Sequence, residues 1–201
     1  MDFEWLTQQS TPDLAKALLG YRLTVDETGG LIVETEAYVG VTDRTAHVFG
    51  GKKTAANQAL YAPAGTVYVY RLRAYFLMNI ITQVASEPQG VLIRAIEPTK
   101  GLATMAARRG QQGYNLTSGP GKLAQAMAID LRDNSTMLNQ GRIHLSSHRI
   151  KTPAAIESGP RIGVPNKGEW TTAPLRFWVA HNPYVSGMTK QQMNEQTKGW
   201  Q

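Results

Sequence analysis

The order in which periodic runs follow one another limits the fold more than any other feature of this chain. Tyr21 to Val25 and Leu31 to Tyr38, joined by the turn residues Asp26-Glu27-Thr28-Gly29-Gly30, read as a hairpin. Thr66 to Leu72, Tyr75 to Ile81 and Val91 to Ile96 are β-branched and aromatic runs, three further strands, the last stopped by Pro98. Helical spacing occurs at Thr11 to Leu19, closed by Gly20, at Thr99 to Arg109 and at Leu123 to Ile129. Strands and helices therefore do not alternate strictly as βαβ units, and an α+β domain with a mixed, mostly antiparallel sheet and flanking helices is expected. Residues 40–65 are polar and Gly-rich and read as an elaborated loop with a helical turn near Ala55 to Leu60. Residues 141–179 read as short strands between Gly/Pro turns, and about 186–201 as a Gln-rich flexible tail.

The chain has 201 residues, 42% of them hydrophobic, enough for one domain with its own core. Its net charge of +6 is unevenly spread. Residues 1–50 carry three basic and eight acidic side chains, whereas residues 51–201 carry eighteen basic and seven acidic, a net +11. A basic excess of that size fits a polyanionic partner. There is no cysteine, which excludes disulfides, thiolate zinc sites and Cys nucleophiles. His47, His144, His148 and His181 lack the carboxylate spacing of a zinc site, so no metal is expected. Met1-Asp2-Phe3-Glu4-Trp5 is acidic and unlike a signal peptide, and no apolar run approaches membrane-spanning length. A cytoplasmic protein without membrane association is the expectation.

Four features could carry chemistry. In Ile32-Val33-Glu34-Thr35-Glu36-Ala37-Tyr38, strand alternation puts Ile32, Glu34, Glu36 and Tyr38 on one face, with the two carboxylates ~7 Å apart. Such a pair perturbs its own ionisation and could supply a general base, or could be two solvated glutamates on a half-exposed strand. Tyr38, Tyr61, Tyr68, Tyr70, Tyr75 and Phe76 are interleaved with Lys52, Lys53, Arg71 and Arg73, a composition suited to stacking unpaired bases. Tyr is also simply a good strand residue. Arg94, inside the apolar run Val91–Ile96, calls for a carboxylate partner, with Glu34 or Glu36 the candidates. Ser118-Gly119-Pro120-Gly121-Lys122 opens the third helix; it fails the P-loop pattern, yet free amides and Lys122 could hold a backbone phosphate.

Taken in order, these segments resemble the alkyladenine (3-methyladenine) DNA glycosylases. Beyond the 32–38 strand, the matching pieces are Thr45-Ala46-His47, Gly65 to Tyr70, Met78-Asn79-Ile80, Val91 to Pro98, Ser118 to Leu123, and Arg161-Ile162-Gly163-Val164 through Gly168-Glu169-Trp170 to Phe177. The resemblance implies a curved sheet with a protruding, DNA-inserting β-hairpin, and excision of alkylated or deaminated purines flipped out of double-stranded DNA, without metal or cofactor. It implies Glu36 as general base for the attacking water, held with the help of Arg94 and the backbone carbonyl of Ile162. Tyr38, His47 and Tyr70 would stack on the base, and Asn79 would screen which purines fit. Lys122 would contact DNA. A monomer suffices for one flipped base, and a bacterial-type, nucleoid-associated enzyme is expected.

The chain departs from the family at one place. The usual Tyr-x-x-Tyr-Gly-Met is replaced by Tyr70-Arg71-Leu72-Arg73-Ala74-Tyr75, one residue shorter before Asn79, so Leu72 or Arg73 must act as the wedge. Two rival readings follow: a non-catalytic relative that binds damaged DNA, or a sugar-active glycoside hydrolase using Glu34 and Glu36.

Overall fold

In a computed structural model the protein is described over residues 3–201. Met1 and Asp2, part of the acidic N-terminal stretch, lie outside the described residues. Eight strands form one curled sheet: β1 (Arg22–Val25), β2 (Thr28–Tyr38), β3 (Val67–Leu72), β4 (Tyr75–Ile81), β5 (Gly90–Lys100), β6 (Ile143–Leu145), β7 (Ile156–Gly159) and β8 (Arg176–Val179). The order is β3-β4-β5-β2-β1-β6, every named pairing is antiparallel, and β8 joins β2 and carries β7. Among the described residues five α-helices accompany it: α1 (Glu4–Thr7), α2 (Thr11–Ala17), α3 (Leu102–Arg109), α4 (Pro120–Met127) and α5 (Glu169–Thr172). The expected α+β class with an antiparallel sheet is what forms.

β2 is the organising strand because its two ends have different neighbours. Its first residues pair with β1 and Glu34 to Glu36 pair with β8, while β5 runs along its other edge. Every residue from Thr28 to Ala37 is buried, which overturns the half-exposed alternative for the glutamate strand. The β2–β5 register slips on either side of Glu34, leaving Val33 and Arg94 as unpaired bulge residues. Bulges of this kind re-aim side chains beside functional sites. On the opposite face of β2, the Thr35 hydroxyl donates to the Ala15 carbonyl of α2 at 2.9 Å.

Pro98 does not stop β5, contrary to expectation. The strand continues to Lys100 because Pro98, which has no N–H to donate, sits opposite Gly30 at a third register shift. A Cβ on Gly30 would lie 2.2 Å from the Glu97 carbonyl oxygen, so only glycine allows this approach.

The main core joins both ends of the chain, from Phe3 and Leu6 to Tyr184, Val185 and Trp200. The presumed flexible tail is therefore part of the packing. Trp200 is only 5% exposed and its indole N–H donates to Glu97 at 2.8 Å, while Asn182 donates to the same carboxylate. A Gln-rich composition concealed one large aromatic anchor and a buried acceptor waiting for it. Residues 40–65 make a second, smaller core in which Val48, Ala59 and Leu60 cover Tyr68 and Ile81. Their 3₁₀ turn at Ala55–Tyr61 matches the expected helical turn. This cover creates one wall of the site.

Candidate active site

Glu34 and Glu36 are both 0% exposed, and Arg94 bridges them. Its Nε donates to Glu34 Oε1 at 3.0 Å and its Nη1 to Glu36 Oε1 at 2.9 Å. Burying two carboxylates is tolerable only when cations and donors occupy their lone pairs. Glu34 receives two further donors, Arg176 Nη1 at 3.1 Å and the Ser186 amide at 2.9 Å. Glu36 receives the Ile162 amide on Oε1 at 2.8 Å and the Tyr38 hydroxyl on Oε2 at 2.9 Å. The Glu36 carboxyl titrates above its ordinary range because burial outweighs Arg94, the Ile162 amide and Tyr38. Burial works against the Arg94 charge, but Glu36 and Glu34 outweigh it and hold the guanidinium more firmly protonated than usual.

Beside this cluster opens a cavity of about 310 Å³. Tyr38, His47, Tyr70 and Asn79 all line it, together with Tyr68, Leu72 and the segment Gly163-Val164-Pro165. Strand alternation places Tyr68 and Tyr70 on one face of β3, stacked with centroids 5.6 Å apart. His47 stands edge-on to Tyr70 at 4.6 Å, and its Nδ1 is hydrogen-bonded to the Tyr68 hydroxyl at 3.0 Å. Burial and the Lys52 charge lower the His47 pKa, so its ring is neutral at physiological pH. Burial pushes the Tyr68 phenol up to about 12, and burial with the Glu36 charge raises Tyr70 and Tyr38 as well. The walls are thus uncharged aromatic rings, with a carboxylate behind them. The Asn79 side-chain amide donates to the Tyr68 carbonyl at 3.3 Å, fixing that side chain between β3 and β4.

The remaining expected residues sit at the rim. β3 and β4 form a hairpin in which Leu72 pairs with Tyr75, and Leu72 is 52% exposed at the cavity mouth. Arg73 occupies the turn in a left-handed conformation, and its carbonyl accepts from Arg71 Nε at 2.9 Å. Lys122 stands outside the cavity at the start of α4, its ammonium donating to Asn115 and Ser118. Tyr75 connects the two regions: a Cβ on Gly121 would lie 2.8 Å from the Tyr75 ring, so the glycine lets the hairpin seat on α4.

Two points differ from expectation. Ile162 reaches Glu36 through its amide, a contact absent from the expectation, which gave a role only to its carbonyl, on the attacking water. Arg161, Asp43, Arg176 and Ser186 were assigned no role, although all four hold the site or its walls. Arg161 stands beside Ile162 in a matching motif, a signal that could have singled it out. Contacts such as Arg176–Glu34 span 142 positions and leave no periodic trace.

A buried carboxylate pair bridged by an arginine stands beside an aromatic cavity, on the wall of a curled antiparallel sheet. Residues 5–183 match the methylpurine-DNA glycosylase family, and the chain belongs to it. Similar relatives include one from Staphylococcus saprophyticus, 45% identical with 100% of this chain and 99% of the relative covered. Another, from Lactiplantibacillus plantarum, is 43% identical over 98% of this chain and 96% of its own length. A third, from Enterococcus faecalis, is 42% identical over 96% and 86%. All three are provisionally named 3-methyladenine DNA glycosylases. The protein is accordingly a DNA glycosylase, and DNA is its substrate. Among the described residues no helix is long and apolar enough to cross a membrane.

Proposed function

We propose that this enzyme flips alkylated or deaminated purines, of the 3-methyladenine, 7-methylguanine and hypoxanthine class, out of duplex DNA and hydrolyses the N-glycosidic bond. The observation that carries the reading is the Tyr38–Glu36 hydrogen bond, which ties the buried carboxylate to a ring that lines the aromatic cavity. Glu36 takes a proton from water as the water oxygen bonds to C1′; the C1′–N bond breaks and its electron pair leaves with the purine. A carboxylate of raised pKa is a stronger base, and its charge steadies the oxocarbenium-like transition state. Arg94 holds Glu36 in place, and the Ile162 carbonyl is assigned to the water.

Tyr38, His47 and Tyr70 would stack on the extruded base. Their electron-rich faces favour a purine made cationic by alkylation. Asn79, fixed by its bond to Tyr68, would exclude purines whose exocyclic groups collide with it. Leu72 is assigned as the wedge: it is apolar, half-exposed and at the cavity mouth, whereas the Arg73 carbonyl is tied down in the turn. Lys122 would hold a phosphate near the hairpin. Among the described residues no lysine lines the cavity, so a monofunctional enzyme leaving an abasic site is the reading, and one flipped base needs only a monomer. A nucleoid-associated, cytoplasmic enzyme follows from it. Buried Glu36 and Arg94 weigh against a purely DNA-binding relative, and the net +11 over residues 51–201 against a sugar hydrolase.

The test is incubation with duplexes carrying one 3-methyladenine, 7-methylguanine or hypoxanthine, followed by hot alkali. Strand breaks at the lesion are expected. Intact strands with every lesion would sink the reading.

A further inference from the structure

Arg161 lies in the irregular segment between β7 and α5, and from residue 160 to 170 it alone is buried. Its guanidinium is the anchor of that segment. Nη1 donates to Asp43 Oδ2 at 2.5 Å and to the Ala37 carbonyl at 3.0 Å. Nη2 donates to Asp43 Oδ1 at 3.0 Å and to the Trp170 carbonyl at 3.2 Å. The same guanidinium lies 4.7 Å from the centroid of the Tyr38 ring. Asp43 is held from its own side by the Thr45 amide and hydroxyl, at 3.0 and 2.8 Å.

These contacts join the two walls of the cavity. Asp43 leads directly into Thr45-Ala46-His47-Val48, one wall, while Arg161 leads into Gly163-Val164-Pro165, the other. Between them, Ile162 presents its amide to Glu36. An apolar contact of equal volume would often be as stabilising as a buried ion pair. A bidentate guanidinium–carboxylate pair adds what an apolar contact lacks, a fixed direction.

We propose that Arg161 and Asp43 are positioning residues for base excision: their ion pair clamps the two cavity walls beneath Tyr38 and so keeps the Ile162 amide on Glu36. The proposal rests on Glu36 being the base. Its structural half, the clamp acting on the Ile162 amide, can be read without any activity.

The experiment compares Arg161→Gln, Arg161→Lys, Asp43→Asn and the double variant Asp43→Asn/Arg161→Gln, which leaves no lone buried charge. Hydrogen exchange at the Ile162 amide is measured alongside single-turnover excision and affinity for a duplex carrying an abasic-site analogue. In Arg161→Gln and in Asp43→Asn the amide should exchange at least tenfold faster than in the wild type. Excision should slow at least tenfold, while affinity changes less than threefold. Arg161→Lys should recover part of the rate, and the double variant should lose no more than the worse single, because one pair acts as a unit. Should Arg161→Gln fail to fold, Asp43→Asn and the double variant decide by the same measures. Unchanged amide protection, or excision and affinity lost in equal proportion, would overturn the clamp. A wild-type protein that excises nothing overturns the glycosylase reading instead, and the exchange data still judge the clamp.

Discussion

Arg94 divides one guanidinium between Glu34 and Glu36, giving Nε to the first and Nη1 to the second. Glu34 also accepts from Arg176 on the same oxygen and from the Ser186 amide on the other. Glu36 shares its second oxygen only with the Tyr38 hydroxyl. Each carboxylate thus has two donors on Oε1 and one on Oε2; what distinguishes Glu36 is that its Oε2 donor, Tyr38, lines the cavity, and Glu36 is the carboxylate proposed to act on water. Glu36→Gln should lower the single-turnover excision rate at least about a hundredfold while leaving affinity for an abasic-site analogue within a few fold. Excision by the variant at the wild-type rate would move the base role to Glu34.

Removing the cation is a different experiment. Arg94→Gln leaves two buried carboxylates sharing only the Arg176 charge, and loss of one partner of a buried pair costs about 3–5 kcal/mol. Urea denaturation should report a loss of that size. A loss under about 1 kcal/mol would mean that water reaches the cluster.

The raised pKa of Glu36 has a thermodynamic sign. Between its ordinary value of 4.5 and its higher folded value, the folded state binds the proton that the unfolded state has released. Stability must then fall as pH rises through that window. Glu36→Gln lacks this titration, so the melting temperature of the variant relative to the wild type should climb as pH rises above 4.5 toward the higher folded value. Melting curves whose separation is constant with pH would show that Glu36 has an ordinary pKa. The same shift predicts an acid limb of excision above the ordinary carboxylate range.

At the hairpin tip, base-flipping fluorescence separates the two wedge candidates. Leu72→Ala should reduce the signal of a flipped reporter base severalfold, and Arg73→Ala should change it little. The reverse ranking would hand the wedge to Arg73.

Grip on DNA is best read from salt. Each phosphate neutralised contributes about −0.9 to the slope of log affinity against log salt concentration. Lys122→Gln should flatten that slope by about one unit without altering the excision rate at saturating enzyme. An unchanged slope would place Lys122 off the DNA surface.

Much of the fold was legible because strand and helix periods are local. The hairpin of β1 and β2, the β3–β4 pair and the helix after Ser118 all carry their signal within a few residues. The site was half legible. Glu36, Tyr38, His47, Tyr70 and Asn79 were named in advance, and the structure brings the last four to one cavity with Glu36 behind Tyr38. Pro98 and the final segment were misread for opposite reasons. A bulge opposite Gly30 absorbed the proline, and burial of Trp200 outweighed a polar composition. Trp200→Ala should accordingly cost about 3–5 kcal/mol of stability, a loss that a frayed tail would not show.

Beyond the shared Arg94, the further donors to Glu34 come from residues 176 and 186, and the amide that completes Glu36 from residue 162. A chain emerging from the ribosome therefore makes its acidic pair early, meets the pair's shared cation at residue 94, and waits for nearly all of its length for the remaining donors. Until then the cavity has only one wall, and Glu36 lacks the setting that sharpens it. The architecture thus ties the full donor set of the two carboxylates to segments drawn from most of the chain's length.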